Sequence, residues 1–313
     1  MNVPLTYLQS LTVRLAAGLE PVPAMVRARH GDYLKAAQRP DGGFAGRQGE
    51  SDLYYTSFAL RGLAILGDLY GPIAERAASF LRAELNVRHT LIDRMSLVFG
   101  AAQLDAAAGI DVLAEAGPAW RAALAADLHA LRCPDGGFAK GSGGTAGSTY
   151  HTFLALLCLE LIGHPLIDRQ DAVRFVRSQQ SEFGGFREIR VSKRAGTNPT
   201  AAALGALRTL NALDDQLAES TAEFLGEMQD DDGGLLANSR IPLADLLSTF
   251  TGVLTLVDLG RTGVLDVAAA LAFVQSLDHP DGGFRAALWD EACDVEYTFY
   301  GLGSLALLTP IVA

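Results

Sequence analysis

The segment "CPDGGFAKG" (residues 133–141) would pass for a single surface turn if the chain did not repeat it. Related segments are "RPDGGFAG" at 39–46, "SEFGGFRE" at 181–188, "DDDGGLLA" at 230–237 and "HPDGGFRA" at 279–286. The second glycines fall at 43, 137, 185, 234 and 283, so the steps are 94, 48, 49 and 49 residues. The first step is close to twice the others, which gives six units with one degenerate copy near residue 90. A fixed period of this size marks one supersecondary unit stacked on copies of itself.

A second column of residues keeps the same register. A threonine follows the aromatic or Leu of each later turn by fourteen residues, at Thr152, Thr200, Thr249 and Thr298, and follows Phe44 by twelve at Thr56. Three residues beyond each threonine sits Ala59, Ala155, Ala203, Gly252 or Gly301, and seven beyond always a leucine: Leu63, Leu159, Leu207, Leu256 or Leu305. Spacings of three, four and seven lie on one helical face, so each unit holds an apolar inner helix whose small residues let neighbours approach. A second helix with its own apolar stripe runs between units, as in "AERAASFLRAEL" (74–85) and "AVRFVRSQ" (172–179). The Gly-Gly turns end these outer helices, since glycine supplies the left-handed backbone that stops a helix. The second unit, "RHTLIDRMSLVFGAAQL" (88–104), lacks the turn. Two helices in each of six units predict about twelve helices and no strand hairpins. An open solenoid satisfies that count, but inner helices apolar nearly all round fit a closed ring inside a second ring better.

Bulk composition narrows the function classes. Of 313 residues 49% are hydrophobic and 19% charged, with a mean hydropathy of +0.19, so the chain can bury a large core. No apolar run reaches the roughly 18–20 uncharged residues of a membrane span, and "MNVPLTYLQSLTVRLAAG" has no basic leader or clear cleavage site. A net charge of −11 disfavours nucleic acid and anionic lipid as nonspecific partners. Cys133, Cys158 and Cys293 are an odd, scattered set, which points to a reducing, cytoplasmic setting.

The Gln-x-x-Asp-Gly-Gly-Phe turns (Gln38 to Phe44, Gln229 to Leu235) together with Tyr-Thr-Phe-type inner helices resemble one superfamily over residues 28–310. It contains the β subunits of protein prenyltransferases and, more distantly, squalene and other terpenoid cyclases. The resemblance implies an all-α, α6–α6 toroid of six helical-hairpin repeats of about 48 residues, built from residues 28–313. The helical segment 1–27, with Leu5, Leu8, Leu11 and Leu15 in a helical rhythm, is expected to pack on the toroid or on a second copy. The resemblance further implies a central cavity for an isoprenoid chain and a helical α-subunit-like partner or a homodimer.

The chemistry is expected at one mouth, where the loops before the inner helices gather. Four residues before the threonine stand Asp52, Asp245 and Asp294, with Ser148 and Gly196 in the other units; one residue before stand Tyr55, His151, Pro199, Ser248 and Tyr297. Asp just ahead of a helix is also a common capping device, so both readings stand. Asp245, Asp294 and Tyr297 are the catalytic candidates. In prenyltransferases zinc is held by an Asp, a Cys two residues on, and a His in the next unit; only Asp245 matches, with Leu247 and Tyr297 in the other two places. The expectation is therefore no cofactor and not the usual zinc centre; Cys293, Glu296, Asp290 and His151 lie in loops at the same mouth and could rebuild a zinc site. An isoprenoid diphosphate is expected to meet the basic loop of Arg187, Arg190, Lys193 and Arg194, with Arg240, Tyr55, Tyr150 and His151 beside it, because Arg and Lys are the natural partners of phosphate oxygens. The family's His ahead of the fourth inner helix falls on Gly196. The leading function is thus a prenyl-transfer-type enzyme with an incomplete zinc site. A non-catalytic isoprenoid binder or scaffold, and a cyclase-like enzyme that protonates an alkene with Asp245 or Asp294, remain open.

Overall fold

Each predicted inner helix is present in the computed structural model, which describes residues 5–312 apart from positions 88 and 115. Residues 1–4 of the N-terminal segment lie outside the described residues. The helices are α1 (Tyr7–Gly18), α2 (Ala24–Ala36), α3 (Leu53–Leu66), α4 (Gly71–Glu84), α5 (Leu91–Ala108), α6 (Gly117–His129), α7 (Thr149–Leu161), α8 (Arg169–Ser178), α9 (Thr197–Thr209), α10 (Asp215–Gly226), α11 (Leu246–Leu259), α12 (Val267–Ser276) and α13 (Val295–Val312). The strand content among the described residues is one antiparallel pair, Phe284–Arg285 with Cys293–Asp294, plus isolated bridges flanking the turns. Odd-numbered helices from α3 to α13 pack each on the next, and α13 packs back on α3, so the inner ring closes. The even-numbered helices α2 to α12 form the outer ring. The fold is an α-α toroid, not an open solenoid.

The repeated turn joins three elements, and each of its residues has a separate task. Its first glycine, at 42, 136, 184, 233 and 282, has φ between +88° and +93°. A Cβ there would lie 2.0–2.7 Å from a carbonyl oxygen of the following outer helix, so glycine is required by space as well as by backbone. The second glycine lies flat against an aromatic ring of that same helix: Phe80, Phe175, Phe224, Phe273 or Tyr33. The next residue (Phe44, Phe138, Phe186, Leu235 or Phe284) is fully buried. Its N–H donates to the in-register threonine, always the fourth residue of its inner helix, at 2.9, 2.9, 2.8, 2.9 and 3.3 Å respectively. The small residue three beyond the threonine makes room for this side chain, as Gly301 does for the Phe284 ring and Gly252 for Leu235. Gln38 and Gln229 then bind the turn to the next outer helix through carbonyls of Ile73 and Asp266. The two-residue difference in the first unit only shortens the loop, since Thr56 makes the same bond.

Ring closure falls to the chain's own beginning. The last turn packs on α2, with Gly283 N–H donating to His30 Nδ1 at 3.0 Å and the His30 ring stacked on Phe284 at 4.6 Å. Because Nδ1 accepts, the imidazole proton sits on Nε2, which faces Asp278 at 3.3 Å. Arg29 pairs with the same carboxylate. Helix α2 is therefore the sixth outer helix.

Helix α1 lies across the opposite end of the ring from the turns. Leu8, Leu11 and Leu15 are buried, and Gly18 presses on the Ala306 carbonyl near the end of α13. Tyr7 and Arg14 bond Asp258 at the end of α11 at 3.0 and 2.5 Å, and the Tyr7 N–H donates to Glu160 at the end of α7 at 3.1 Å. Helix α13 is long and apolar enough to cross a bilayer, but it is an inner-ring helix with 67% of that stretch buried.

Candidate functional site

The inner helices surround a cavity of about 400 Å³. Its walls are stripes at spacings of three and four: Tyr54, Ser57, Phe58 and Arg61 on α3; Ile92, Met95, Ser96 and Phe99 on α5; Tyr150, Phe153, Leu154 and Leu157 on α7; Leu247, Phe250, Thr251 and Leu254 on α11. Tyr7, Leu8 and Leu11 of α1 form the floor. Counted from the threonine, the residues facing the axis stand two before, one and two after, and five after. The sequence comparison singled out two other columns, four before and one before.

Those columns have different work. Asp52, Asp245 and Ser148 are N-caps, accepting the backbone N–H of Tyr55, Ser248 and His151 at 2.8, 2.7 and 3.2 Å, and Asp294 accepts that of Tyr297 at 2.9 Å. Burial raises the carboxyl pKa of Asp52, Asp245 and Asp294, and the capping bonds pull back against it. Asp294 is also paired at 3.0 Å with Arg47, whose guanidinium forks onto Asp290. Asp245, Asp294, Tyr297, Tyr55 and His151 do not line the cavity, whereas Tyr150 does. His151 Nδ1 lies 2.8 Å from Ser148 Oγ, which in turn contacts Glu188; burial and nearby Lys140 lower the imidazole pKa.

The basic loop stands outside the ring. Arg190, Lys193, Arg194 and Arg240 are exposed and Arg187 half-buried. Arg194 ties its loop to the next one through Ser239 at 2.9 Å. Only Glu188 of this loop reaches the cavity wall, and burial raises its carboxyl pKa.

Two further charged groups stand out at the cavity. Glu296, which the sequence places in a loop, is the second residue of α13 and sits behind the wall residues Tyr54 and Tyr300 without itself lining the cavity. Its Oε1 accepts from the hydroxyls of Tyr54 at 2.6 Å and Tyr300 at 3.2 Å, leaving Oε2 without a partner among the described residues. Burial raises its pKa; the tyrosine bonds and Arg61 oppose the shift. Arg61 sits among the rings of Phe299, Phe58 and Phe99, at 3.8, 4.8 and 5.0 Å from their centroids. A signal for both existed: Glu296 shares a column with Tyr54, Tyr150, Asn198 and Leu247, and Arg61 one with Leu157, Gly205, Leu254 and Gly303.

The residues present do not fit the zinc centre of prenyltransferases. Asp245 spends its carboxylate on the cap and on Ser248 Oγ at 2.8 Å, and Leu247 faces the cavity. Among the described residues no three His, Cys, Asp or Glu side chains converge.

Fold and cavity define a closed double ring of helices around a largely apolar cavity. The chain matches the prenyltransferase alpha-alpha toroid domain over residues 8–95, 80–235 and 200–312, and belongs to that family. It is 32% identical over 168 residues to drimenyl diphosphate synthase of Streptomyces showdoensis, covering 51% of this chain and 31% of that one. It is 28% identical over 189 residues to the protein farnesyltransferase subunit beta of Pisum sativum, covering 58% and 43%. These matches thus span less than half the length of either relative. Among solved structures, the type II terpene cyclase MstE from Scytonema, in complex with geranylgeranyl dihydroxybenzoate, superposes with a TM-score of 0.63 at 15% identity, covering 96% of this chain and 99% of that one. At that identity the likeness is one of fold.

Proposed function

We propose that the chain takes an isoprenoid into the ring cavity and acts on an isoprenoid diphosphate as a prenyl-transfer-type enzyme, without a thiolate-on-zinc step. The observation that carries this reading is the cavity itself: apolar and aromatic stripes of the inner helices, floored by α1. A chamber of this size and lining suits an extended isoprenoid chain. Each CH₂ removed from water contributes about 0.8 kcal/mol, so affinity should rise with chain length until the chamber is full. Its relatives' names, a diphosphate synthase and a farnesyltransferase subunit, support an isoprenoid diphosphate as ligand. A helical partner or a second copy, as expected of a β-type subunit, belongs to the same proposal and is read from solution mass.

Glu296 favours a second reading, acid-initiated cyclisation. Two phenols donating to Oε1 polarise the carboxyl, and a proton on Oε2 would then be free for transfer to an alkene. The aromatic walls suit a carbocation. Titrating geranyl, farnesyl and geranylgeranyl diphosphate into the purified protein tests the first reading, with the longer chains expected to bind more tightly than geranyl. No binding by any of them refutes it. A cyclic hydrocarbon skeleton among the products, abolished in Glu296→Gln, selects the second.

A further inference from the structure

Arg61 is out of place by the rules that built the rest of the ring. It occupies an axis-facing column filled in the other units by leucine, glycine or, on α5, Phe99, and it lines the cavity. Three phenylalanine rings surround it, and neither an ion pair nor a hydrogen bond to a described residue accompanies them. Burial lowers its pKa only to about 10, so at neutral pH it remains a cation. Rings can cover guanidinium faces, but they accept poorly from its five N–H groups, which lie at the edges. A buried charge is costly and is normally paired; Glu296 acts on Arg61 through space and opposes the fall in its pKa, but makes no ion pair with it among the described residues. Tyr150 lines the same cavity and its hydroxyl bonds no described residue; burial raises its pKa, with nearby Arg61 opposing the shift, so the phenol stays a neutral donor. Tyr54 and Tyr300 are already committed to Glu296.

Building on the isoprenoid reading above, we infer that Arg61, with the Tyr150 hydroxyl, forms an anion subsite inside the ring for the carboxylate or phosphate head of an isoprenoid ligand. The head is then held beneath the mouth, behind the tyrosines, and the exposed basic loop does not hold it. Guanidinium suits this task because its fork matches both oxyanions in two-point geometry. The phenylalanines keep water from competing and fix the fork in one orientation.

Three ligands of equal chain length test the assignment: farnesol, farnesoic acid and farnesyl diphosphate, titrated by calorimetry into wild type, Arg61→Met, Arg61→Lys and the double variant Arg190→Glu/Arg194→Glu. The wild type is expected to bind at least one anion tenfold or more tighter than the alcohol. Arg61→Met should lose that margin while still binding farnesol, and Arg61→Lys should keep part of it. Which anion shows the larger margin tells carboxylate from phosphate. Should the methionine variant not fold, Arg61→Gln removes the charge while keeping a polar end. A wild type without the margin, or an uncharged variant that retains it, overturns the subsite. A margin lost only in the double variant moves the anion to the rim and also overturns the subsite, with the isoprenoid reading intact. If farnesol, acid and diphosphate all fail to bind, both fall together.

Discussion

Replacing Thr200 with valine keeps the shape of a buried side chain and deletes one oxygen. That oxygen accepts from the Phe186 N–H at 2.8 Å and donates to the Gly196 carbonyl at 2.7 Å. The carbonyl keeps its bond from the Thr200 N–H, but the buried amide of Phe186 is left with nothing. Stranding one such donor costs about 1–3 kcal/mol. With about 2.1 cal/mol/K of unfolding entropy per residue, a chain of 313 residues has roughly 0.66 kcal/mol/K at its midpoint, so Tm should fall by about 1.5–4.5 °C. Thr209→Val is the matched comparison, because its half-buried hydroxyl only donates to the Gly205 carbonyl and its loss strands no N–H. That variant should stay within about 0.5 kcal/mol of wild type. Urea unfolding monitored by circular dichroism, with calorimetry for Tm, measures both. Equal losses in the two variants would refute the claim that the threonine column exists to satisfy the turns.

Three further outcomes follow from the same geometry. Gly184→Ala puts a Cβ 2.0 Å from the Ser220 carbonyl oxygen at a φ of +88°, whereas Gly143→Ala at +81° meets nothing within 4 Å; the second should cost about 1–2 kcal/mol from backbone strain alone, and the first clearly more, in paired denaturation curves. Glu296 has a raised carboxyl pKa in the fold, so the folded state holds its proton to higher pH than the unfolded chain does, and its contribution to stability falls as pH climbs through the carboxyl range. The stability of Glu296→Gln relative to wild type should therefore improve from about pH 4 to pH 7; a declining difference would be the wrong sign. Metal analysis of the purified protein should find far less than one zinc per chain, and one full equivalent lost on Asp245→Ala would reinstate the zinc centre.

The architecture was legible because it is written in residues with one physical use. A glycine at φ near +90°, a threonine that must reach a backbone N–H, and a small residue beneath a phenylalanine ring recur in register, and periodicity exposes them. The site was less legible because a helix offers several columns at once. Asp52, Asp245 and Asp294 attract attention as a set, yet a repeated Asp ahead of a helix serves every helix alike and so marks the repeat. Departures from the repeat are a different signal. Arg61 and Glu296 each differ from the rest of their column, and only the structure shows that those columns face the axis. The basic loop poses a related problem: a run of cations in sequence says nothing about which side of a loop faces the ring.

The pairing of α2 with the last turn sets a condition on how the protein is made. His30 and Gly283 are 253 positions apart, and synthesis runs at about 5–20 residues per second, so α2 leaves the ribosome roughly 13–50 s before its partner exists. During that interval five units can stack on one another as each is completed, while the face of α2 that receives the sixth turn stays bare. The seam is thus among the last contacts to form and among the slowest by contact order. It is also the place where α2 of one nascent chain can slot into the gap of another.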